Sequence, residues 1–511
     1  MEKYSGLEYL KLTKLQRFWY KFLLFFVGIP TWFKNKGLKI WSYLKKFGIF
    51  VKDDVVDLVM TFKNGNWITR LSYLVMGFGS VMRGQILRGV LFFLFEVVFV
   101  VFMCLPGVGG GYWLSMMPSL GLKGPTVEYD DLLDTYVTHY YDNSFRILLY
   151  SVLTIFFIIA FIYTWRLNVK QNRISEEILA SGKKLKSGKE DLHSLIDDQF
   201  HKTLLALPVT GIIVFTVLPI LFMILVAFTN YCGNNNGYTN NLFTWVGWQN
   251  FATMFNWSSG SNAYSAAFGE ILLWTLIWAF FATFTNYFLG MIVAIMINKK
   301  GIRLKKVWRT ILVLTIAIPQ FISLLYVSKM FANNGIVIAK LRDWFGVTGF
   351  SFYDNPHWAR VTVIFINIWI GIPYLMLIAT GILMNIPEDL YESAKIDGAN
   401  VWQQYMKITL PYMLFVTGPY LLTSFISNMN NFNVIYLLTA GGPTNANASG
   451  ASGSVGYTDL LVTWLFKITT GTDSQYYMAS VVGILVFVVS AVISLVVYNL
   501  MPSNKNEEDY Q

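Results

Sequence analysis

The chain has 511 residues and a formal net charge of +10; 55% of its residues are apolar and only 13% charged, where a soluble globular domain carries about a quarter charged. The charges bunch between long apolar runs, which excludes an ordinary soluble fold and points to an all-α polytopic membrane protein. The basic excess flanks those runs and so suits a membrane surface rather than nucleic acid, while two cysteines, Cys104 and Cys232, and four scattered histidines give no disulfide framework or metal-ligand spacing.

Residues 1–85 carry 14 Lys and Arg against 5 Asp and Glu. Within them Tyr20–Ile29 and Leu71–Phe78 are apolar with basic neighbours, which fits either an interfacial stretch or a cytoplasmic helical extension on the bundle. Tyr20–Ile29 is short and basic residues continue well beyond it, so no cleavable signal peptide is expected. Spans of about 20 mostly apolar residues are predicted at 87–106, 147–165, 204–229, 270–296, 310–330, 361–384, 410–432 and 478–500. The seventh is interrupted by Ser424, Ser427, Asn428, Asn430 and Asn431. Glu96 falls inside the first span and Arg88 at its start, and the sequence assigns neither a role.

Loop charge sets the orientation. Loop 166–202 is basic, and loop 297–309 has 6 basic residues and no acidic one. Loop 107–145 has one Lys and 5 acidic residues, and loop 230–264 has no charge. Positive charge stays in the cytoplasm, so both termini are expected inside, as eight spans require. Loop 166–202 reads as a solvated helical connection, Gly107–Gly111 as an outer turn, and residues 502–511 as a polar, unstructured tail.

The segment 385–411, Asn-Ile-Pro-Glu-Asp-Leu-Tyr-Glu-Ser-Ala-Lys-Ile-Asp-Gly-Ala-Asn-Val-Trp-Gln-Gln-Tyr-Met-Lys-Ile-Thr-Leu-Pro, reads as a short helix, a break and a second helix. Pro387 suits a first helical turn, and Glu388 and Asp389 complement the positive end of the helix dipole. Gly398 can end the helix in the left-handed region, and Asn400 can cap the next. Leu390, Ala394 and Ile396 are apolar, which a loop in water does not need unless a surface covers them.

This segment resembles the EAA loop of the permeases of ABC importers, at Glu392, Ser393, Ala394, Gly398, Ile408, Leu410 and Pro411, with Ser393 in place of the first Ala. Trp245–Phe251 is similar to the segment preceding the core helices in sugar permeases, and Ser424–Phe432, Leu437–Pro443 and Gly456–Leu460 together resemble the larger permease subunits of maltose/maltodextrin importers. The resemblance implies a type I ABC importer permease core over 203–501, preceded by two accessory transmembrane helices in 86–202. It implies that 385–411 docks in a cytoplasmic ATPase, with Glu392, Ser393, Ala394, Asp397, Gly398, Leu410 and Pro411 in the coupling. Its implied partners are a second permease subunit, two copies of the ABC ATPase, which uses ATP and Mg, and an extracellular solute-binding protein. This chain itself is expected to bind no cofactor. The short outer loop 230–269 and the long N-terminal extension suggest a single-membrane bacterium with a lipid-anchored binding protein.

Polar residues within spans are costly and default to functional candidates. The fifth span offers Pro319, Gln320 and Ser323, and the sixth Asn367, Trp369, Gly371 and Tyr374. In the seventh, Ser424, Ser427, Asn428 and Asn431 share a helical face. Such hydroxyls and amides hydrogen-bond sugars or simply join helices; by resemblance Asn367, Gly371, Tyr374, Ser424, Asn428 and Asn431 are the expected substrate contacts. Thr315-Ile316 stands where the maltose subunits have Pro-Tyr, which loosens the substrate assignment. The sequence holds no Gly-x-x-x-x-Gly-Lys-Ser/Thr phosphate loop, so no catalytic residue is assigned and ATP hydrolysis is expected in a separate subunit.

The expected function is a multi-pass plasma-membrane permease importing maltodextrin-type oligosaccharides by alternating access. The alternatives are another oligosaccharide, a polyol or glycerol phosphate, the last disfavoured by the lack of arginines inside spans five to seven. An ion-coupled secondary transporter would be expected to show intramembrane carboxylates or an inverted repeat. A membrane glycosyltransferase would need an acidic pair beside the membrane, for which Asp130-Asp131 is only a superficial match.

Overall fold

The structure is a computed structural model and describes residues 41–500 except 44, 47, 122–125, 140, 141, 234–241, 257–262, 300, 449, 450, 452, 472 and 473. The expectations for Tyr20–Ile29 and for the tail from Pro502 lie outside the described residues. In chain order the main elements are α1 (Ile86–Cys104), a hairpin of β1 (Thr126–Asp130) and β2 (Thr135–His139), α2 (Ser144–Ala180), α3 (Gly188–Ile196) and α4 (Phe200–Val226). There follow α5 (Ala263–Asn298), α6 (Lys305–Ala317), α7 (Gln320–Phe331), α8 (Ile336–Phe345), α9 (Pro356–Leu383) and α10 (Glu388–Ile396). The last are α11 (Leu410–Met429), α12 (Phe432–Thr439), α13 (Leu461–Thr470) and α14 (Tyr476–Leu500). Among the described residues, eight helical segments are long and apolar enough to cross a membrane, the number the sequence predicts, although the fifth runs Gln320–Phe345 rather than 310–330.

Two compact units divide the chain. The first comprises Met1–Trp113 and Leu153–Gly211. Its α1 meets α2 through rings, Phe99 lying flat on Phe161 with centroids 3.9 Å apart. The Leu71–Phe78 stretch runs between two short helices, Trp67–Leu71 and Phe78–Met82. Gly77 (φ +82) lies so close to α1 that a Cβ there would meet the Gly89 carbonyl oxygen at 2.0 Å. Asn168 satisfies this turn, its Nδ2 donating to Ser72 O (2.9 Å) and its Oδ1 accepting from Gly77 N (3.0 Å). Glu96 accepts from Met76 N at 2.7 Å, and Arg88 pairs with Asp191 on α3 at 2.8 Å. Both charges in the first span thus hold local structure. The expected helical connection after the second span is α2's long extension and α3, which starts in a capping box of Ser187 and Glu190.

The second unit comprises Leu114–Val152 and Ile212–Gln511. Its central helix is α5, whose buried face includes Trp278, Ala279, Ala282, Thr283, Asn286, Gly290 and Met291. Small residues let α9 approach closely: a Cβ on Gly290 would sit 2.7 Å from the Leu375 Cβ. At one end of this pair Glu270 binds Arg360 (3.4 Å) and Asn445 (2.7 Å), and the Arg360 guanidinium lies 4.9 Å from the Trp274 ring centroid. Asp459 is fully buried with Lys467 2.7 Å away. Burial pushes the Asp459 carboxyl up from its ordinary range, opposed by Lys467, the Gly456 N–H and the Thr463 hydroxyl.

Prolines explain where the spans depart from straight helices. The expected continuous fifth span is broken at Ile318-Pro319 into α6 and α7. Proline disfavours helical geometry in the residue before it, and Ile318 is extended (φ −81, ψ 126). Two π-turns, Ile213–Val217 and Tyr405–Thr409, each precede a Leu-Pro pair, Leu218-Pro219 and Leu410-Pro411. A proline ring clashes with the carbonyl four residues back, and a widened turn gives it room. The seventh span ends α11 at the asparagines, where Asn431 caps α12 through Val434 N (3.3 Å). The hairpin in loop 107–145 adds two antiparallel strands to the helical architecture, Glu128 facing Val137 in register. Its tip residue Leu132 is 97% exposed.

Candidate functional site

The break between α6 and α7 opens one wall of a cavity of about 500 Å³. Non-helical backbone at membrane depth is tolerated where it is buried in protein or lines a cavity, and Ile318 and Pro319 do line this one. Gln320 and Ser323, three residues apart on one face of α7, add an amide and a hydroxyl. The first turn of α7 also has backbone N–H groups without intrahelical acceptors. From α9 come Trp369, Gly371 and Tyr374. None of the lining residues is charged. The volume falls within the range of about 300–1,000 Å³ usual for ligand pockets. The chemistry offered is aromatic faces with neutral donors and acceptors, which suits an uncharged polar ligand.

Of the substrate candidates, Gly371 and Tyr374 line this cavity. Asn367 is buried one turn earlier on α9. A Cβ at Gly371 would meet Asn286 Nδ2 at 2.2 Å, so α5 rests directly on this glycine. Among the described residues Asn367 Nδ2 and Asn286 Oδ1 are buried without a hydrogen-bond partner. Asn428 and Asn431 do not line the cavity; Asn428 donates to Thr283 Oγ1 at 3.0 Å and Asn431 to Asn428 Oδ1 at 3.4 Å. Trp278 Nε1 donates to the Asn428 carbonyl at 3.1 Å. Ser424 lies one turn before Asn428 on α11 and is half-buried. Sequence reasoning missed Trp278, Thr283 and Asn286 on α5. The signal was present as polar residues Thr275, Thr283 and Asn286 on one face of an otherwise apolar span.

The second group of candidates is displayed on α10 and the turn after it. Pro387 precedes the helix rather than opening it, and Glu388 and Asp389 occupy the first turn. Gly398 (φ +76) leaves the helix in the left-handed region. Ala399 N returns to Ala394 O at 2.8 Å, and Asn400 caps the next helix in a capping box with Gln403. The expected cap roles of Gly398 and Asn400 are therefore realised. Tyr391 ties α10 to the π-turn through Thr409 Oγ1 (2.9 Å). Glu392, Ser393 and Asp397 are exposed, and Ala394 is half-buried. Leu410 and Pro411 open α11 directly behind that turn. Beside them Ile396 is 87%, Val401 81% and Trp402 67% exposed.

Eight helical segments long and apolar enough to cross a membrane, with a neutral polar cavity among them, fit a multi-pass membrane protein. Residues 286–506 match the family described as "Binding-protein-dependent transport system inner membrane component". The chain is 31% identical over 444 residues to the maltodextrin transport system permease protein MdxF of Bacillus subtilis (strain 168), covering 85% of this chain and 95% of that protein. The chain therefore belongs to this family of bacterial inner-membrane permeases. The galactooligosaccharides transport system permease protein GanP of the same organism is 32% identical over 430 residues, 83% of this chain and 95% of that protein. The maltose/maltodextrin transport system permease protein MalF of Escherichia coli (strain K12) is 34% identical over 254 residues, 49% of this chain and 48% of that protein.

Proposed function

We propose that the chain is a transmembrane permease subunit of an ATP-driven importer of oligosaccharides, with maltodextrins first among them, working by alternating access. The observation that carries the substrate class is the uncharged cavity with Trp369 and Tyr374 among its walls and Gln320 and Ser323 on the facing helix. Aromatic faces pack on the apolar faces of sugar rings, and amides and hydroxyls satisfy the ring hydroxyls. Relatives named for maltodextrin and for galactooligosaccharide are almost equally similar, which supports the class more than one linkage. The absence of charge in the walls disfavours a phosphorylated substrate.

The exposed Ile396, Val401 and Trp402 support docking of the 385–411 segment in a cytoplasmic ATPase, as apolar surface of this kind is stabilised when covered. Movement of α10 would pass through the Tyr391–Thr409 bond and the π-turn into α11. There Asn428 and Asn431 hold α11 to α5 and cap α12 in the present conformation. A two-state gate needs different contacts in each state. In the other state these asparagines would turn to the sugar, and the unpartnered amides of Asn367 and Asn286 would find partners. In this reading ATP hydrolysis belongs to a separate subunit pair, and a second permease and an external binding protein complete the assembly.

The test is uptake by the assembled transporter in proteoliposomes. Trp369→Ala is expected to lower maltodextrin uptake by up to about tenfold through loss of an aromatic contact worth roughly 0.5–1.5 kcal/mol, with assembly unchanged. Wild-type uptake in that variant would remove this cavity from the sugar path.

A further inference from the structure

The first unit contains a second cavity of about 560 Å³, bounded by α1, α2 and α3, far in sequence from the residues assigned to transport. Its walls combine apolar, charged and neutral polar residues. Leu91, Phe92 and Phe95 of α1 and Leu167 of α2 are apolar, Arg88 and Asp191 are charged, and four neutral polar residues share the lining. From Arg88 to Phe95 the wall follows seven residues of helix, about 10 Å at 1.5 Å per residue. Leu87, Leu91 and Leu167 line the cavity, and exposed apolar residues of α1, Val90 and Leu94 among them, surround it. The cavity thus opens toward the hydrocarbon layer, with its charged end at the basic end of α1. An occupant must be amphipathic and aligned with the helices.

The ion pair also selects a headgroup. Arg88 and Asp191 join through Nη2 and Oδ1 at 2.8 Å. The remaining atoms, Arg88 Nη1 and Asp191 Oδ2, are buried and have no hydrogen-bond partner among the described residues. One is a donor and the other an acceptor, a buried charged group left partly unpaired is unfavourable, and a turn of the two side chains would bring both atoms to a headgroup. A phosphate accepts well from guanidinium, and an ammonium or hydroxyl donates to carboxylate. We infer that this cavity is a binding site for one membrane phospholipid whose headgroup carries a hydrogen-bond donor beside its phosphate. The phosphate lies on Arg88, the donor on Asp191, and an acyl chain along Leu91 and Phe95. Phosphatidylethanolamine supplies an ammonium donor and phosphatidylglycerol a hydroxyl donor; phosphatidylcholine supplies neither.

The test is native mass spectrometry of the delipidated full-length chain with each of these three lipids added in turn, and with thermal unfolding of each variant recorded. The wild type is expected to retain one molecule of a donor-bearing lipid, and phosphatidylcholine about tenfold less, one step of about 1.4 kcal/mol. Preference for phosphatidylethanolamine assigns the ammonium to Asp191, and preference for phosphatidylglycerol the hydroxyl. Leu91→Trp fills the apolar end with the ion pair intact and should abolish retention. The double variant Arg88→Leu, Asp191→Leu replaces the pair by apolar groups, a change buried pairs often tolerate, and should erase the preference among headgroups. Equal retention of the three lipids by the wild type, or a preference that survives in the double variant, would overturn the proposal.

Discussion

Gly371 is the residue on which the α5–α9 contact and the cavity wall depend together. A side chain there has no room, because its Cβ would fall 2.2 Å from Asn286 Nδ2. Gly371→Val should therefore cost about 1–3 kcal/mol as overpacking, read as a lower unfolding midpoint in detergent, and should reduce sugar uptake as well. An unchanged midpoint would mean that α5 can move away from α9 freely. In the sequence Gly371 and Tyr374 stand out because polar or small residues interrupt an apolar span. Asn286 escaped notice for a physical reason: one amide in a span looks like any helix contact until its neighbour across the interface is known. Glu96 and Arg88 show the same gap, since their partners Met76 and Asp191 lie 20 and 103 residues away.

For the elements, local chemistry was readable wherever a residue acts on its own backbone. Gly398 and Asn400 end and begin helices as their side chains dictate. Pro319 breaks the fifth span, and its position inside the predicted run at 310–330 was already the warning. The π-turns were harder, because a proline in a helix can be met by a kink, a break or a widened turn, and packing chooses among them. The β1–β2 hairpin shows in the sequence only as short alternation in Thr-Val-Glu-Tyr and Thr-Tyr-Val-Thr, which is a weak signal in a loop whose charges are mostly acidic. The exposed face beside α10 makes a prediction of its own. Ile396→Asp replaces an 87% exposed side chain and should shift stability by no more than about 0.5 kcal/mol. Co-purification with the ATPase should nevertheless fall sharply. Full retention of the ATPase would place the docking surface elsewhere.

At the scale of the whole molecule, the span count and class were legible because a bilayer imposes length and composition on every crossing segment. Sidedness rests on the charge of the loops and is open to direct measurement. With Cys104 and Cys232 changed to serine, Leu132→Cys on the hairpin tip should react with a membrane-impermeant maleimide in intact cells. Ser393→Cys on α10 should react only after the membrane is permeabilised. The opposite pattern would invert the topology and with it the coupling role of 385–411. In the first unit the two spans and the helical connection in 166–202 were legible, but its polar contacts were not, since they join residues far apart in the chain. The lipid cavity gives that unit a role that no local motif announces.

The central claim is that ATP hydrolysis outside this chain drives sugar movement through it by way of the 385–411 segment. The most direct measurement is uptake of labelled maltodextrin and galactooligosaccharide by proteoliposomes holding the complete transporter, in wild type and Glu392→Lys. The account predicts uptake that requires ATP, is insensitive to ion gradients and is abolished by Glu392→Lys while the cavity still binds sugar. Uptake driven by an ion gradient without ATP, or wild-type uptake in Glu392→Lys, would contradict it.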